Sequence, residues 1–377
     1  MTKPRSMRSY ETIVSRDEGV LVSDLLTSVA RLIDVPSVSR NEGAIADFVE
    51  DALRAISGLS VERIGDNVVA RTENTQKARI VLGGHLDTVV ASGNERAVID
   101  GDTCSGCGAT DMKGGLAVML ALAGAQLPSP LDVTYVFYAC EEIARVESGL
   151  SAIAERRPEL LVGDVAVLLE PTGGVLEAGC QGVLRATITL GGVRAHSARP
   201  WEGSNAIHRL GAILKVIGTF AERTPVLEGC EYHEMLQAVH VGGGVATNVV
   251  PDEASVTVSF RFAPDRSPAD AECEVLGTFG PWLDTDLGDH LEIDEIAPAA
   301  PPALDNAALS FLVEASGRAP RAKLGWTDVA FFAERGIPAA NFGPGNPALA
   351  HGPFEKVERA ELDFSYGALR ALLTRGI

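Results

Sequence analysis

Apolar residues near the start of the chain recur at helical spacing, at Leu21, Val22, Leu25, Leu26, Val29, Leu32 and Ile33, and Pro36 stops the pattern. The spacing predicts an amphipathic helix there and a second over 42–56. Strand patterns follow at 67–70 and 78–82, the latter running through Gly83-Gly84 into His85 and Asp87. An Ala/Leu-rich run after Gly115 predicts a buried helix, which places Asp111 on a loop just before its N-terminus. Residues 131–139 alternate as a strand does and lead into Cys140-Glu141-Glu142. Residues 165–169 are continuously apolar, the mark of a strand buried on both faces, and end in Glu170-Pro171-Thr172.

From about Cys180 the pattern changes. Strands are predicted at 184–190, 238–242, 254–262 and 291–296, with helices at 205–220 and 269–279. The order strand-helix-strand-strand-helix-strand predicts a two-layer α+β unit on the ferredoxin-like plan. Pro298, Pro301 and Pro302 mark a return linker, followed by a helix at 307–316, a Gly325-Trp326-Thr327-Asp328 loop, a strand at 339–342, His351 and a helix at 361–373. The fold expected is therefore α/β, a mixed, mostly parallel sheet with flanking helices. Residues 1–179 and 297–377 form one discontinuous domain, and 180–296 an inserted one.

Five groups are expected at strand ends: His85, Asp111, Glu142, Glu170 and His351, with Asp87 and Glu141 beside them. The carboxyl ends of parallel strands meet at one edge of such a sheet, so residues remote in sequence converge there. The first three intervals are each about one strand-plus-helix crossover, and the long last one is filled mostly by the insert. Two histidines and three carboxylates suit two divalent ions, zinc foremost, with one carboxylate bridging. Such a pair acidifies a water and polarises a carbonyl, which is the chemistry of a hydrolase. Adjacent side chains on an extended segment point apart, leaving Glu141 free of its neighbour's metal and available as a general base. Singly, each of these residues is as easily a solvated strand end or a turn polar group. His208, His233, His240 and His290 are expected on surfaces.

A chain of 377 residues with 46% hydrophobic content can bury two cores. Its formal charge of -19 disfavours nucleic acid and anionic membranes, which bind through basic patches. No apolar stretch follows Lys3, Arg5 and Arg8, and the longest, around 116–127, is too short to span a bilayer; a cytoplasmic protein is expected. Six dispersed cysteines do not form a disulfide framework. Cys104 and Cys107 make a C-x-x-C that reads as small residues in a tight loop, as half a zinc site or as a redox pair.

The motifs Gly84-His85-Leu86-Asp87-Thr88-Val89, Gly108-Ala109-Thr110-Asp111-Met112-Lys113-Gly114-Gly115, Glu141-Glu142, Glu170-Pro171-Thr172, Ala195-His196-Ser197-Ala198-Arg199-Pro200 and Ala350-His351-Gly352 together resemble the di-zinc aminoacylase and carboxypeptidase family over nearly the whole chain. The resemblance implies a zinc-peptidase-like domain with two Zn2+ per subunit, cobalt being an alternative. His85 and Glu170 would hold one ion, Glu142 and His351 the other, and Asp111 would bridge. It further implies that Asp87 orients His85, that Glu141 is the general base, and that a cis peptide follows Asp111. The insert would be a lid and homodimer interface, from which His196 reaches the partner's active site to stabilise an oxyanion.

Within the family, the stretches Gly192 to Arg199, Ala246-Thr247-Asn248-Val249-Val250-Pro251 with Phe260-Arg261-Phe262, and Gly325-Trp326-Thr327-Asp328 are similar to those of the branch that removes succinate from N-succinyl-L,L-2,6-diaminopimelate, a small substrate with three carboxylates. Asn248, Arg261 and Thr327 are the matched substrate-binding candidates, and Arg194 and Arg199 are further cations available to it. Two stretches depart from the better-known members: Cys180-Gln181-Gly182 stands where they have Arg-Arg-Gly, and Gly325-Trp326-Thr327-Asp328 replaces a Gly-Gly-Thr-Ser loop. Deacetylation of an N-acetyl-amino acid and carboxypeptidase action therefore stay open. So, from other classes, do a thiol oxidoreductase and a non-catalytic metal scaffold.

Overall fold

An unbroken apolar strand needs neighbours on both sides and cover on both faces. Val165–Leu168, buried at every position, has both in the computed structural model, which describes residues 24–376. Leu21 and Val22 of the first helical pattern, and Lys3, Arg5 and Arg8, lie outside the described residues; the helix itself is Leu25–Ile33. Val165–Leu168 sits between Arg79–His85 and Ala339–Asn341, and with Asp132–Tyr138 these make four parallel central strands. The antiparallel pair Leu59–Ile64 and Asn67–Thr72 extends one side of the eight-stranded sheet. On the other side Glu177–Ala178 runs antiparallel to Ala339–Asn341, and Arg321–Ala322 completes the edge.

The period-two rule divides the core. Ile80, Leu82, Val165 and Val167 pack on one face with residues of Leu25–Ile33, Gly43–Arg54, Gly114–Gly124 and Arg359–Arg375. Val81, Ala166 and Leu168 pack on the other with residues of Gly149–Arg156 and Val329–Ala333. The Gly114–Gly124 helix is buried on all sides, which accounts for its lack of a polar stripe.

The insert is a four-stranded antiparallel sheet in the order Met235–Gly243, Glu253–Phe262, Gly182–Gly191, His290–Ala297. Along Glu253–Phe262, Ala254, Val256, Val258, Phe260 and Phe262 face inward and cluster with Leu210 and Ile213 of Ala206–Gly218 and Val275 and Phe279 of Pro268–Phe279. The ferredoxin-like order of elements expected from the sequence is the observed one. The sequence pattern does not reveal a small sheet of Val98–Asp100, Thr103–Ser105 and Lys356–Glu358, which ties the chain after His351 to the loop before Asp111. Among the described residues no helix is long and apolar enough to cross a membrane.

Candidate active site

Arg79–His85 delivers His85 at its carboxyl end, and the run after Val165–Leu168 delivers Glu170 beside it. Space is limited around Leu169 and Glu170. A Cβ on Gly115 would lie 2.2 Å from the Leu169 carbonyl oxygen, and one on Gly343 2.6 Å from that of Glu170. Asp111 and His351 are not strand-end residues: Asp111 lies in a distorted turn ahead of Gly114–Gly124, and His351 follows the short turn Pro347–Leu349. The Asp111–Met112 peptide is cis.

The turn bearing Asp111 is held by a residue that sequence reasoning missed. Buried Glu355 accepts the amides of Gly108, Thr110 and Asp111 at 3.0, 3.0 and 2.8 Å. A parallel arrangement holds the glutamate pair. Glu42 accepts the Cys140 amide at 3.0 Å, and the Asp87 carboxylate accepts those of Glu141 and Glu142 at 3.0 and 3.1 Å. Cys140 adopts a positive φ of 60°, so the segment is a turn and not the extended run that would splay Glu141 from Glu142. One oxygen of each lies within 4.8 Å of the other's and of a His85 ring nitrogen.

Around Asp111 the donors converge. His85 Nε2 is 3.0 Å from Oδ1, and His351 Nε2 is 3.5 Å from Oδ2. Glu170 Oε1 lies 3.9 Å from His85 Nε2, and Glu142 Oε1 is 3.0 Å from His351 Nε2. Two donor sets result, His85 with Asp111 and Glu170, and Asp111 with Glu142 and His351. On the far side of the His85 ring, Nδ1 donates to the Asp87 backbone carbonyl at 3.0 Å, while the Asp87 carboxylate stands at 3.5 Å. That contact leaves Nε2 to face the donor cluster.

These groups are electrostatically frustrated as they stand. Burial pushes the Glu170 carboxyl up to about 7, with the charges of Asp111 and Glu142 adding to it. Burial raises Glu141 well above the ordinary range, and the neighbouring Glu170, Asp328 and Glu142 charges act the same way against the opposing pull of His85. Hydrogen bonding to Asp111 lifts His351 to about 9. Buried Glu170 Oε1 has no hydrogen-bond partner. A buried carboxylate oxygen without a donor is costly, and a cation held among these oxygens and imidazoles removes the cost. The donor set fits divalent metal.

The other predicted residues lie elsewhere. His196 is exposed on the insert, its Nδ1 accepting the Ala198 amide at 3.0 Å. Asn248 is exposed, with its carbonyl bound to the Ser197 amide. Arg194 pairs with Asp252 at 2.8 Å on the surface, and Arg199 is exposed. Arg261 is half-buried; desolvation, with repulsion from Arg185, holds its guanidinium below the usual value. Thr327 is buried and its hydroxyl accepts from Asn341 Nδ2 at 3.2 Å. Cys104 and Cys107 are free buried thiols; burial raises both, Cys104 to about 11, the opposite of what a reactive thiolate requires. His208, His240 and His290 are exposed and His233 is partly so.

A family model described as peptidase family M20/M25/M40 matches residues 81–375. A Mycobacterium tuberculosis chain provisionally named succinyl-diaminopimelate desuccinylase DapE is 48% identical over 354 residues, which is 94% of this chain and 99% of that one. A Corynebacterium glutamicum succinyl-diaminopimelate desuccinylase is 43% identical over 337 residues, 88% of this chain and 91% of that one. Among solved structures, a Staphylococcus aureus tripeptidase matches with a TM-score of 0.76 at 22% identity, over 93% of this chain and 97% of its own. The Bacillus subtilis YXEP protein, described as a dinuclear metal binding peptidase, matches with a TM-score of 0.68 at 17% identity, over 92% and 96%. At these identities the structural matches bear on the fold.

Proposed function

The chain belongs to peptidase family M20/M25/M40, and from that premise we propose that it hydrolyses the amide of N-succinyl-L,L-2,6-diaminopimelate to succinate and L,L-2,6-diaminopimelate, the reaction for which its Corynebacterium glutamicum relative is named. The observation that carries the reading is Asp111, whose two oxygens face His85 and His351 separately. His85 and Glu170 would hold one zinc ion and Glu142 and His351 the other, with Asp111 shared; cobalt suits the same donors. When bound, the pair supplies a Lewis acid for the amide carbonyl and acidifies the attacking water.

The protein's own residues then move the protons. The Glu141 carboxylate takes a proton from water as its oxygen bonds to the acyl carbon, and returns it to the amide nitrogen as the C–N bond breaks. Succinate leaves as the carboxylate and the diamino acid as the amine. Burial raises the Glu141 carboxyl, the direction that strengthens its carboxylate as a proton acceptor.

Residues 1–179 with 297–377 act in this reading as the catalytic domain, and 180–296 as a lid and homodimer interface. The separate hydrophobic cluster of the insert supports the division. Met235–Gly243 supports the interface: among the described residues it is paired on one side only, and it exposes Val239 and Val241. Exposed His196 is assigned to the partner's oxyanion. Six free thiols accord with a reducing, cytoplasmic location.

Glu141→Gln is expected to retain its metal, by elemental analysis, and to lose at least ~10³-fold in kcat; substantial turnover removes Glu141 as base. Assayed side by side, N-succinyl-diaminopimelate should be preferred to N-acetylornithine, and the reverse preference overturns the substrate assignment.

A further inference from the structure

Glu177 is a buried carboxylate with two cations against it. Arg321 Nη2 lies 2.8 Å from Oε1, and Lys323 Nζ 3.0 Å from Oε2. The group carries one positive charge in excess. The Arg321 side chain is 47% exposed and also donates to the Thr172 carbonyl, so water serves it. The Lys323 side chain is 16% exposed, and the surplus there is poorly solvated. Beyond Glu177, the charges of Glu170 and Asp111 also reach Lys323. Both are engaged by metal in the reading above. Lys323 is then a largely buried ammonium whose paired anion, Glu177, it shares with Arg321.

Its backbone position is equally specific. The Lys323 carbonyl accepts the Gln181 amide at 3.1 Å, and Cys180 Sγ donates to the Thr327 carbonyl at 3.6 Å. The two stretches that depart from better-known relatives, Cys180-Gln181-Gly182 and Gly325-Trp326-Thr327-Asp328, thus lie against each other, with Lys323 at their junction. Half-buried Arg261 is a neighbour of Cys180 and forms no ion pair among the described residues. Two cations, Lys323 and Arg261, therefore flank the Cys180 segment.

We propose that Lys323 determines specificity by binding one of the two substrate carboxylates nearest the scissile amide, that of the succinyl group or the one on the α-carbon of the amine. The succinyl carboxylate is two methylenes from the amide carbonyl and the other is one carbon from the amide nitrogen. The carboxylate at the far end of diaminopimelate is too distant from the amide to share this position. Bound there, a carboxylate offsets the positive charge that Glu177 leaves over between Arg321 and Lys323. The inference rests on the metallohydrolase reading and names the recognition at that same site.

Lys323→Met and Lys323→Arg are compared with the wild type on three substrates: N-succinyl-diaminopimelate, N-butanoyl-diaminopimelate, which lacks the acyl carboxylate, and N-succinyl-1,5-diaminopentane, which lacks those of the amine. Lys323→Met is expected to lose roughly 100-fold in kcat/KM on the full substrate, mostly through KM. The loss should shrink to a few-fold on the one analogue that lacks the carboxylate Lys323 holds, and Lys323→Arg should recover most of the activity. In a Glu141→Gln background, calorimetry should show the matching fall in affinity for the full substrate. Glu177→Gln, which removes the ion pair but not the ammonium, should keep the wild-type ranking of the three substrates. A Lys323→Met protein with normal metal content and melting temperature that is impaired equally on all three, or on none, overturns the proposal. A wild type that hydrolyses none of them overturns the reading beneath it instead.

Discussion

A buried carboxylate that accepts several backbone amides fixes the turn those amides belong to, because each bond constrains a separate peptide plane. Glu355 does this for Gly108, Thr110 and Asp111, and Glu42 with Asp87 for the three consecutive amides of Cys140, Glu141 and Glu142. Both catalytic turns are thereby set before any ligand arrives, which spares the binding step the entropy of ordering them. Glu355→Ala is expected to weaken metal binding about 10–100-fold, the usual range for groups that orient ligands, while leaving every liganding atom present. Titration calorimetry with zinc reads this directly, and unchanged affinity would show that the Asp111 turn holds itself. Asp87 acts likewise: its carboxylate serves the glutamate turn more closely than it serves His85, which it holds through its backbone carbonyl.

At the scale of elements, the carboxyl end of Val165–Leu168 works only because its neighbours stay small. Gly115 opens the buried Gly114–Gly124 helix against Leu169, and Gly343 follows Ala339–Asn341 against Leu169 and Glu170. Backbone cannot yield as the far end of a flexible side chain does. Gly115→Ala should therefore destabilise the protein by ~1–3 kcal/mol from overpacking, seen as a lowered melting temperature, and should reduce metal content by displacing Glu170. A melting temperature at or above the wild-type value would mean that helix and strand separate without cost.

For the whole molecule, the question under this proposal is how an exposed histidine on the insert would serve the metal-donor site. The proposed dimer answers it by letting each insert serve its partner. His196→Ala is then expected to lower kcat ~10²–10³-fold, the usual loss for an oxyanion donor, with dimer mass and metal content unchanged. Sedimentation velocity and elemental analysis supply the controls. A monomeric wild type with full activity would return His196 to the role of a surface turn residue.

The local periods of the sequence determined much of this protein. Alternation and unbroken apolar runs placed the main strands, and polar groups at or just past their ends named His85, Glu142 and Glu170, because strand period and strand end are properties of a few consecutive residues. The strand-helix order likewise sufficed for the ferredoxin-like plan of the insert. Tertiary structure alone decided the rest. Glu355 lies 244 residues from the Asp111 amide it accepts, and no local pattern sets a buried glutamate apart from a solvated one. The left-handed turn at Cys140 brings Glu141 and Glu142 together where an extended reading would part them, since a carboxylate from Glu42 holds the amide there. Lys323 and Glu177 meet only because two two-residue strands pair at the sheet edge, too short to leave a periodic trace. Desolvation and long-range contact give such residues their character, and both come from the folded chain.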